Sequence, residues 1–127
     1  MILVLTQIKP SPIHGLGLFA VETIRKGTVV WEYNDPPDYR IPASSPLLLE
    51  EPWKSHRRYG YQEAGKPYVE FPGDQSLFIN HSVARANIAT VGDRMVATRD
   101  ILPDEEILAN YREFESEPSE LEGLNDD

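Results

Sequence analysis

The chain has 127 residues, 40% of them hydrophobic and 26% charged, which is the make-up of one ordinary globular domain. It contains no cysteine, so disulfides, thiolate zinc sites and cysteine nucleophiles are excluded, and His14, His56 and His81 lack the spacing of metal ligands. A net charge of −9 argues against a grip on nucleic-acid phosphates and favours a basic partner, including lysine-rich peptide.

Met1 to Leu5 is too short for a signal peptide and lacks its positive flank. No run approaches the ~20 apolar residues of a membrane span. A cytoplasmic protein is expected, with a nuclear location left open. Ile2 to Ile8 predicts a first strand, stopped by Lys9-Pro10-Ser11-Pro12 because proline cannot continue a ladder. In His14-Gly15-Leu16-Gly17-Leu18-Phe19 the two glycines permit either a positive φ or a close backbone approach. Leu18 to Val21 predicts a strand. A dinucleotide fingerprint would require a helix next, and Thr23 to Gly27 reads as a turn, so that reading is rejected.

Thr28 to Tyr33 is a strong strand signal, broken by Asn34-Asp35-Pro36-Pro37-Asp38. Residues 36 to 58 are the least strand-like part. Ser45 and Pro46 look like an N-cap and first helical position, and Pro52 could start a second short helix through Arg58. Tyr59-Gly60-Tyr61 and Tyr68-Val69-Glu70-Phe71 read as short strands. Leu77-Phe78-Ile79 leads as a strand into Asn80-His81-Ser82. Asn87 to Val91 and Arg94 to Thr98 flank Gly92-Asp93 as a hairpin. Ile101 to Glu106 is a turn, Ile107 to Tyr111 a last strand, and Arg112 to Asp127 an acidic, solvated tail. About nine short strands with frequent turns predict a mostly β fold with one small helical insert.

Phe78-Ile79-Asn80-His81-Ser82 is the focal stretch. Asn and His side by side offer amide donors, amide acceptors and an imidazole. Taken locally, they also fit a polar turn in which Asn80 bonds its own backbone. Three segments in order decide between the two: Gly15-Leu16-Gly17-Leu18-Phe19, the focal stretch with Asn87 behind it, and Asp104-Glu105-Glu106-Ile107 leading to Asn110-Tyr111. With Lys26-Gly27-Thr28 and Trp31-Glu32-Tyr33 between them, this set resembles the SET-domain family of protein lysine methyltransferases, in a minimal form close to its short viral and bacterial members. The resemblance covers about Pro12 to Phe114. It implies a β-clip fold of small curved sheets with a C-terminal pseudoknot, a domain over residues 1–114 and a tail over 115–127.

The resemblance also implies a chemistry. S-adenosyl-L-methionine would be the cofactor, and a lysine of a basic protein or peptide would enter a narrow channel. His14, Gly15, Leu16 and Gly17 would meet the cofactor, largely through backbone groups. Asn80 and His81 would hold its amino-acid part and adenine, and Phe114 would help cover the adenine. Tyr111 would stand at the methyl-transfer site. Tyr59 or Tyr61 would line the lysine channel, with Ala109 at the family's aromatic switch position, while Tyr33 reads as core. No metal, nucleic acid or membrane is called for, and a homodimer is compatible.

The sulfonium is an activated methyl donor, so the task is in-line alignment with a neutral amine. Free lysine has a pKa of ~10.4, so neutrality at pH 7.4 costs about 4 kcal/mol, which a dry channel offsets by desolvation. Against the family pattern, Ala86 replaces a proline, Asp104 a glycine, Leu108 a threonine and Asn110 an aspartate, and Ala109 leaves the degree of methylation open. The alternatives are a non-catalytic SET-like interaction module and a β-rich binder of small ligands.

Overall fold

A computed structural model describes residues 1–51, 60, 62 and 65–113. Its nine strands, among those residues, are β1 (Thr6–Pro10), β2 (Leu16–Ala20), β3 (Val29–Glu32), β4 (Tyr39–Pro42), β5 (Tyr68–Phe71), β6 (Asn80–His81), β7 (Ile88–Val91), β8 (Arg94–Ala97) and β9 (Leu108–Ala109). They form two antiparallel pairs, β1-β2 and β4-β5, and a five-stranded sheet in the order β3-β8-β7-β9-β6. Among the described residues, the helical content is limited to 3-10 turns. This is the mostly β architecture of small sheets that the sequence predicts.

The five-stranded sheet contains the pseudoknot. Strands β6 and β7 follow one another in the chain, yet β9 lies between them and runs parallel to both. The loop joining β6 to β7 therefore passes around the C-terminal segment. Ser82 N–H donates to the Ala109 carbonyl at 3.0 Å and Asn87 N–H to the Leu108 carbonyl at 2.9 Å. Asn87 is 1% exposed. Its side-chain amide donates to the Glu106 carbonyl at 2.8 Å and accepts from Leu108 N–H at 2.9 Å. It supplies the donor and acceptor that a neighbouring strand would otherwise provide. The Ser82 hydroxyl accepts from Arg85 N–H and curls the loop back.

Strand β2 ties the first pair to this knot. Leu18 O accepts from Ile107 N–H and Ala20 N–H donates to Glu105 O. Behind these bonds lies one core containing Leu18, Val30, Ile79, Ile88, Ile101 and Ile107, all nearly or fully buried. Each such side chain contributes about 1.5–3 kcal/mol on burial. A second, smaller core of Ile41, Val69 and Phe71 holds β4 on β5.

Several elements differ from expectation. The first strand begins at Thr6, and Ile2 makes only an isolated bridge to Trp31. Pro10 is its last residue, so proline ends the ladder without being outside it. The segment judged least strand-like holds β4, because Ile41 turns into the second core and Tyr39 stacks on Phe71 with centroids 5.2 Å apart. Ser45 and Pro46 do start a helical turn, a single 3-10 turn over Pro46–Leu49. The expected second helix through Arg58 and the strand at Tyr59–Tyr61 lie outside the described residues, apart from Gly60. Gln75–Phe78 forms a 3-10 turn, not a strand, because the Asp74 carboxylate caps it by accepting from Ser76 N–H at 3.0 Å.

Two turns follow the sequence closely. Gly92 has φ +61° in the two-residue loop between β7 and β8, the left-handed geometry such hairpins demand. Asp104, standing where the family pattern has glycine, has φ 67°. It is the third residue of a turn closed by Glu105 N–H on Leu102 O, with Pro103 second. That position requires a positive φ, which aspartate tolerates better than most residues.

Asn87→Ala leaves a carbonyl and an N–H unpaired inside the knot. It is expected to cost about 2–4 kcal/mol in urea unfolding. Burial alone would raise the Asp74 pKa, but hydrogen bonds from Ile2 and Ser76 hold it below the ordinary carboxylate range. Its contribution is therefore complete above the unfolded pKa and is lost as pH falls through the lowered folded value. Asp74→Ala is expected to cost about 1 kcal/mol at pH 7. The gap from the parent chain should shrink below about pH 4 in parallel thermal melts.

Candidate functional site

The buried pair Asn80–His81 forms the whole of β6, fixed in register by Asn80 opposite Leu108 and His81 opposite Ala109. The Asp74-capped turn feeds it from one end. The Asn80 side-chain nitrogen donates toward three acceptors: His14 O at 3.0 Å, Leu16 O at 3.0 Å and a Glu106 carboxylate oxygen at 2.9 Å. The two carbonyls lie 66 and 64 residues before Asn80 and Glu106 lies 26 after it, so the contact joins the first motif to the second and third.

The loop that supplies two of those carbonyls is itself braced. Ser11 N–H donates to Gly15 O at 2.8 Å, and Ser11 Oγ accepts from Ile13 N–H at 2.9 Å. The same hydroxyl donates to the Glu106 carboxylate at 2.7 Å. The two glycines divide the roles left open by the sequence. Gly15 takes the positive φ, +46°. Gly17 takes the close approach, since a Cβ there would sit 2.5 Å from a Glu106 carboxylate oxygen and 3.0 Å from Ser11 Cβ.

On the other side of β6, Tyr111 folds back onto His81. Its N–H donates to His81 Nδ1 at 3.1 Å, which places the ring proton of the neutral imidazole on Nε2. The two rings lie 5.2 Å apart and tilted by 52°. The Tyr111 hydroxyl donates to the Ile79 carbonyl. The tyrosine, two residues after β9 and first in a 3-10 turn, thus comes back to the residue that precedes β6.

Tyr111 also walls a cavity with Trp31, Ile79, Met95 and Ala109, whose lining is mainly apolar. Glu70 and Asp93 line the same cavity. Both are held by Arg40, at 2.9 Å and 2.6 Å, and the guanidinium lies over the rings of Tyr33 at 3.7 Å and Tyr68 at 4.4 Å. Burial raises the Glu70 pKa, against the opposing pull of Arg40. Burial, then the charge of Asp35, raises that of Tyr33. Tyr33 packs against the main core, as expected, while its ring also serves this cluster.

The residues singled out from the sequence are brought together where the structure describes them. His14 and Leu16 lie against Asn80, Gly17 lies against the Glu106 that touches it, and Gly15 belongs to the same loop, held by Ser11. His81, Ala109 and Tyr111 are in one cluster, and Ala109 lines the cavity. Tyr59, Tyr61 and Phe114 lie outside the described residues. Sequence reasoning did not single out Ser11, Glu106, Arg40, Glu70 or Asp93 as site residues. Glu106 had a signal, a carboxylate directly before the apolar Ile107-Leu108-Ala109; Arg40 had none, being in a segment not read as a strand.

The SET domain family model matches residues 15–112. No curated protein matches the chain significantly. Among solved structures, it is similar to a Plasmodium falciparum protein assigned as a histone methyltransferase, at 27% identity and TM-score 0.59, covering 87% of this chain and 95% of that one. CpSET8 from Cryptosporidium is similar at 29% identity and TM-score 0.59, with 84% and 56% covered. A chain of the Chaetomium thermophilum polycomb repressive complex 2 is similar at 25% identity and TM-score 0.62, with 85% and 15% covered. The threaded β9, the Asn80–His81 pair beside it and a family match over most of the sequence agree, and the chain belongs to the SET-domain family.

Proposed function

We propose that the chain is an S-adenosylmethionine-dependent protein-lysine methyltransferase acting on a basic protein or peptide. The observation that supports this best is that Tyr111 belongs at once to the Asn80–His81 cluster and to the apolar cavity. A group held by the first and a side chain entering the second would meet at the tyrosine. The Plasmodium falciparum neighbour assigned as a histone methyltransferase favours the same reading.

The residues around Asn80 fit the amino-acid part of such a cofactor. One side-chain nitrogen with two hydrogens faces three acceptors within 3.0 Å. A further donor, such as an ammonium, suits that surplus. Bound S-adenosylmethionine would supply the activated methyl group. His14, Gly15, Leu16 and Gly17 shape the loop beside it, and Asn80 and His81 orient it. Phe114 is assigned to the adenine side and Tyr59 or Tyr61 to the channel wall by resemblance.

The remaining residues act on the substrate amine. Trp31, Ile79, Met95 and Ala109 exclude water and so favour the neutral amine. The Tyr111 hydroxyl is fixed in direction by its bond to Ile79 O, and its oxygen can accept from an amine N–H. Glu70 and Asp93 against Arg40 leave the cavity lining with one excess negative charge, which attracts a basic segment. The catalytic unit is assigned to residues 1–114 and the acidic tail to 115–127.

Tyr111→Phe is expected to keep cofactor binding and to lower labelled-methyl transfer into a pool of basic proteins by about 100-fold. Unchanged turnover would remove Tyr111 from the site. In calorimetric titration with S-adenosylmethionine, Asn80→Ala should lose the binding that the parent chain shows. A parent chain that binds no cofactor, even with lysine-rich peptide present, would instead be a non-catalytic SET-like module.

A further inference from the structure

We infer that Glu106 is a positioning residue for the cofactor, acting through Asn80 and through the loop from Ser11 to Leu16. The inference rests on the methyltransferase reading above and adds to it a residue that touches neither reacting group. Glu106 sits half-buried just before β9. Its carboxylate receives Ser11 Oγ at 2.7 Å and 2.9 Å on its two oxygens and the Asn80 side-chain nitrogen at 2.9 Å. Its backbone carbonyl receives the Asn87 amide at 2.8 Å. One residue therefore fastens the threaded segment, the Asn-His strand and the glycine loop.

The chemistry of the contacts requires a carboxylate. Every group facing it is a donor: a hydroxyl and an amide NH2. The Ser11 oxygen already accepts from Ile13 N–H at 2.9 Å and His14 N–H at 3.3 Å, so its own proton has one direction left, toward Glu106. Glutamine at 106 would have the same shape but would turn one acceptor into a donor. That donor would face either the Asn80 NH2 or an occupied Ser11 oxygen. The glycine at 17 is explained by the same residue, because any Cβ there would push the carboxylate end away. Gly17→Ala thus displaces Glu106 without changing its chemistry.

The test compares the parent chain with Glu106→Gln and Gly17→Ala. Calorimetric titration reads affinity for S-adenosylmethionine and for S-adenosylhomocysteine, and 15N–1H spectra of the free proteins read the side-chain amides of Asn80 and Asn87 and the backbone amides of Ile13 and His14. Both variants are expected to bind both ligands at least tenfold more weakly. In the free proteins the Asn80, Ile13 and His14 signals should move while those of the Asn87 side chain stay. Unmoved Asn80 and loop signals, or moved signals with parent affinity, would overturn the inference while leaving the methyltransferase reading intact. Loss of the Asn87 signals together with a collapse of the thermal transition in both variants would also overturn it, as a general structural role. A parent chain that binds neither ligand, even with lysine-rich peptide present, removes the reading beneath, and the inference falls with it.

Discussion

The structure depends on the passage of β9 between β6 and β7. Two residues of strand have no stability of their own, and β9 is held because both of its edges are paired and its N-terminal end is caught by an asparagine amide. The parallel register then does the rest. With Asn80 opposite Leu108 and His81 opposite Ala109, the chain leaves the sheet beside His81 and Tyr111 meets it within two residues. A slip by one position would turn Ala109 away from the cavity and carry Tyr111 off the imidazole, since side chains alternate faces along a strand. Site geometry and the knot are therefore one constraint, and Asn87, which does not line the cavity beside Tyr111, sits at its centre.

The parts of this arrangement that were legible in the sequence are those with local causes. The hairpin at Gly92-Asp93, the cap at Ser45 and the glycines at 15 and 17 each reflect a backbone requirement that few residues meet. The site was legible through the order of three motifs, not through any one of them. Asn80 alone could have been a turn residue, and what makes it otherwise is a pair of carbonyls more than sixty positions upstream. Contacts of that range leave no periodicity. The same is true of Arg40, whose partners Glu70 and Asp93 lie 30 and 53 residues away. Leu77 to Ile79 reads as a strand because these are apolar neighbours, and only the Asp74 cap shows that Gln75–Phe78 is a turn.

Electrostatics at the site differ from those of the chain as a whole. The net charge of −9 owes much to the acidic residues after Arg112. Around the cavity the charges are mostly neutralised: Arg40 sits between two carboxylates and between two aromatic faces. Glu70 is still held toward its protonated form by burial, so its pairing with Arg40 only partly offsets the loss of water. A cavity with a mainly apolar lining and a small net negative charge can draw in a cation without holding it there as a cation. That is the requirement of a reaction whose nucleophile arrives protonated and must react neutral.

The small side chain of Ala109 bears on the same economy of space. It is buried at 3% exposure in the wall shared with Tyr111, and its carbonyl is occupied by Ser82 N–H. A bulkier residue at 109 would fill the cavity from the strand that fixes Tyr111, so the free space of the cavity and the placement of the tyrosine are set by positions two residues apart, one on a two-residue strand and one in the turn after it. Glu106, three residues before Ala109, meets the cofactor-side loop on the same short segment. Six consecutive residues, Glu106 to Tyr111, therefore reach both proposed binding regions, and a displacement of the threaded segment would alter them together. This is a physical reason for a fold this small to thread its chain: a strand paired on both edges is harder to shift than an edge strand carrying the same side chains.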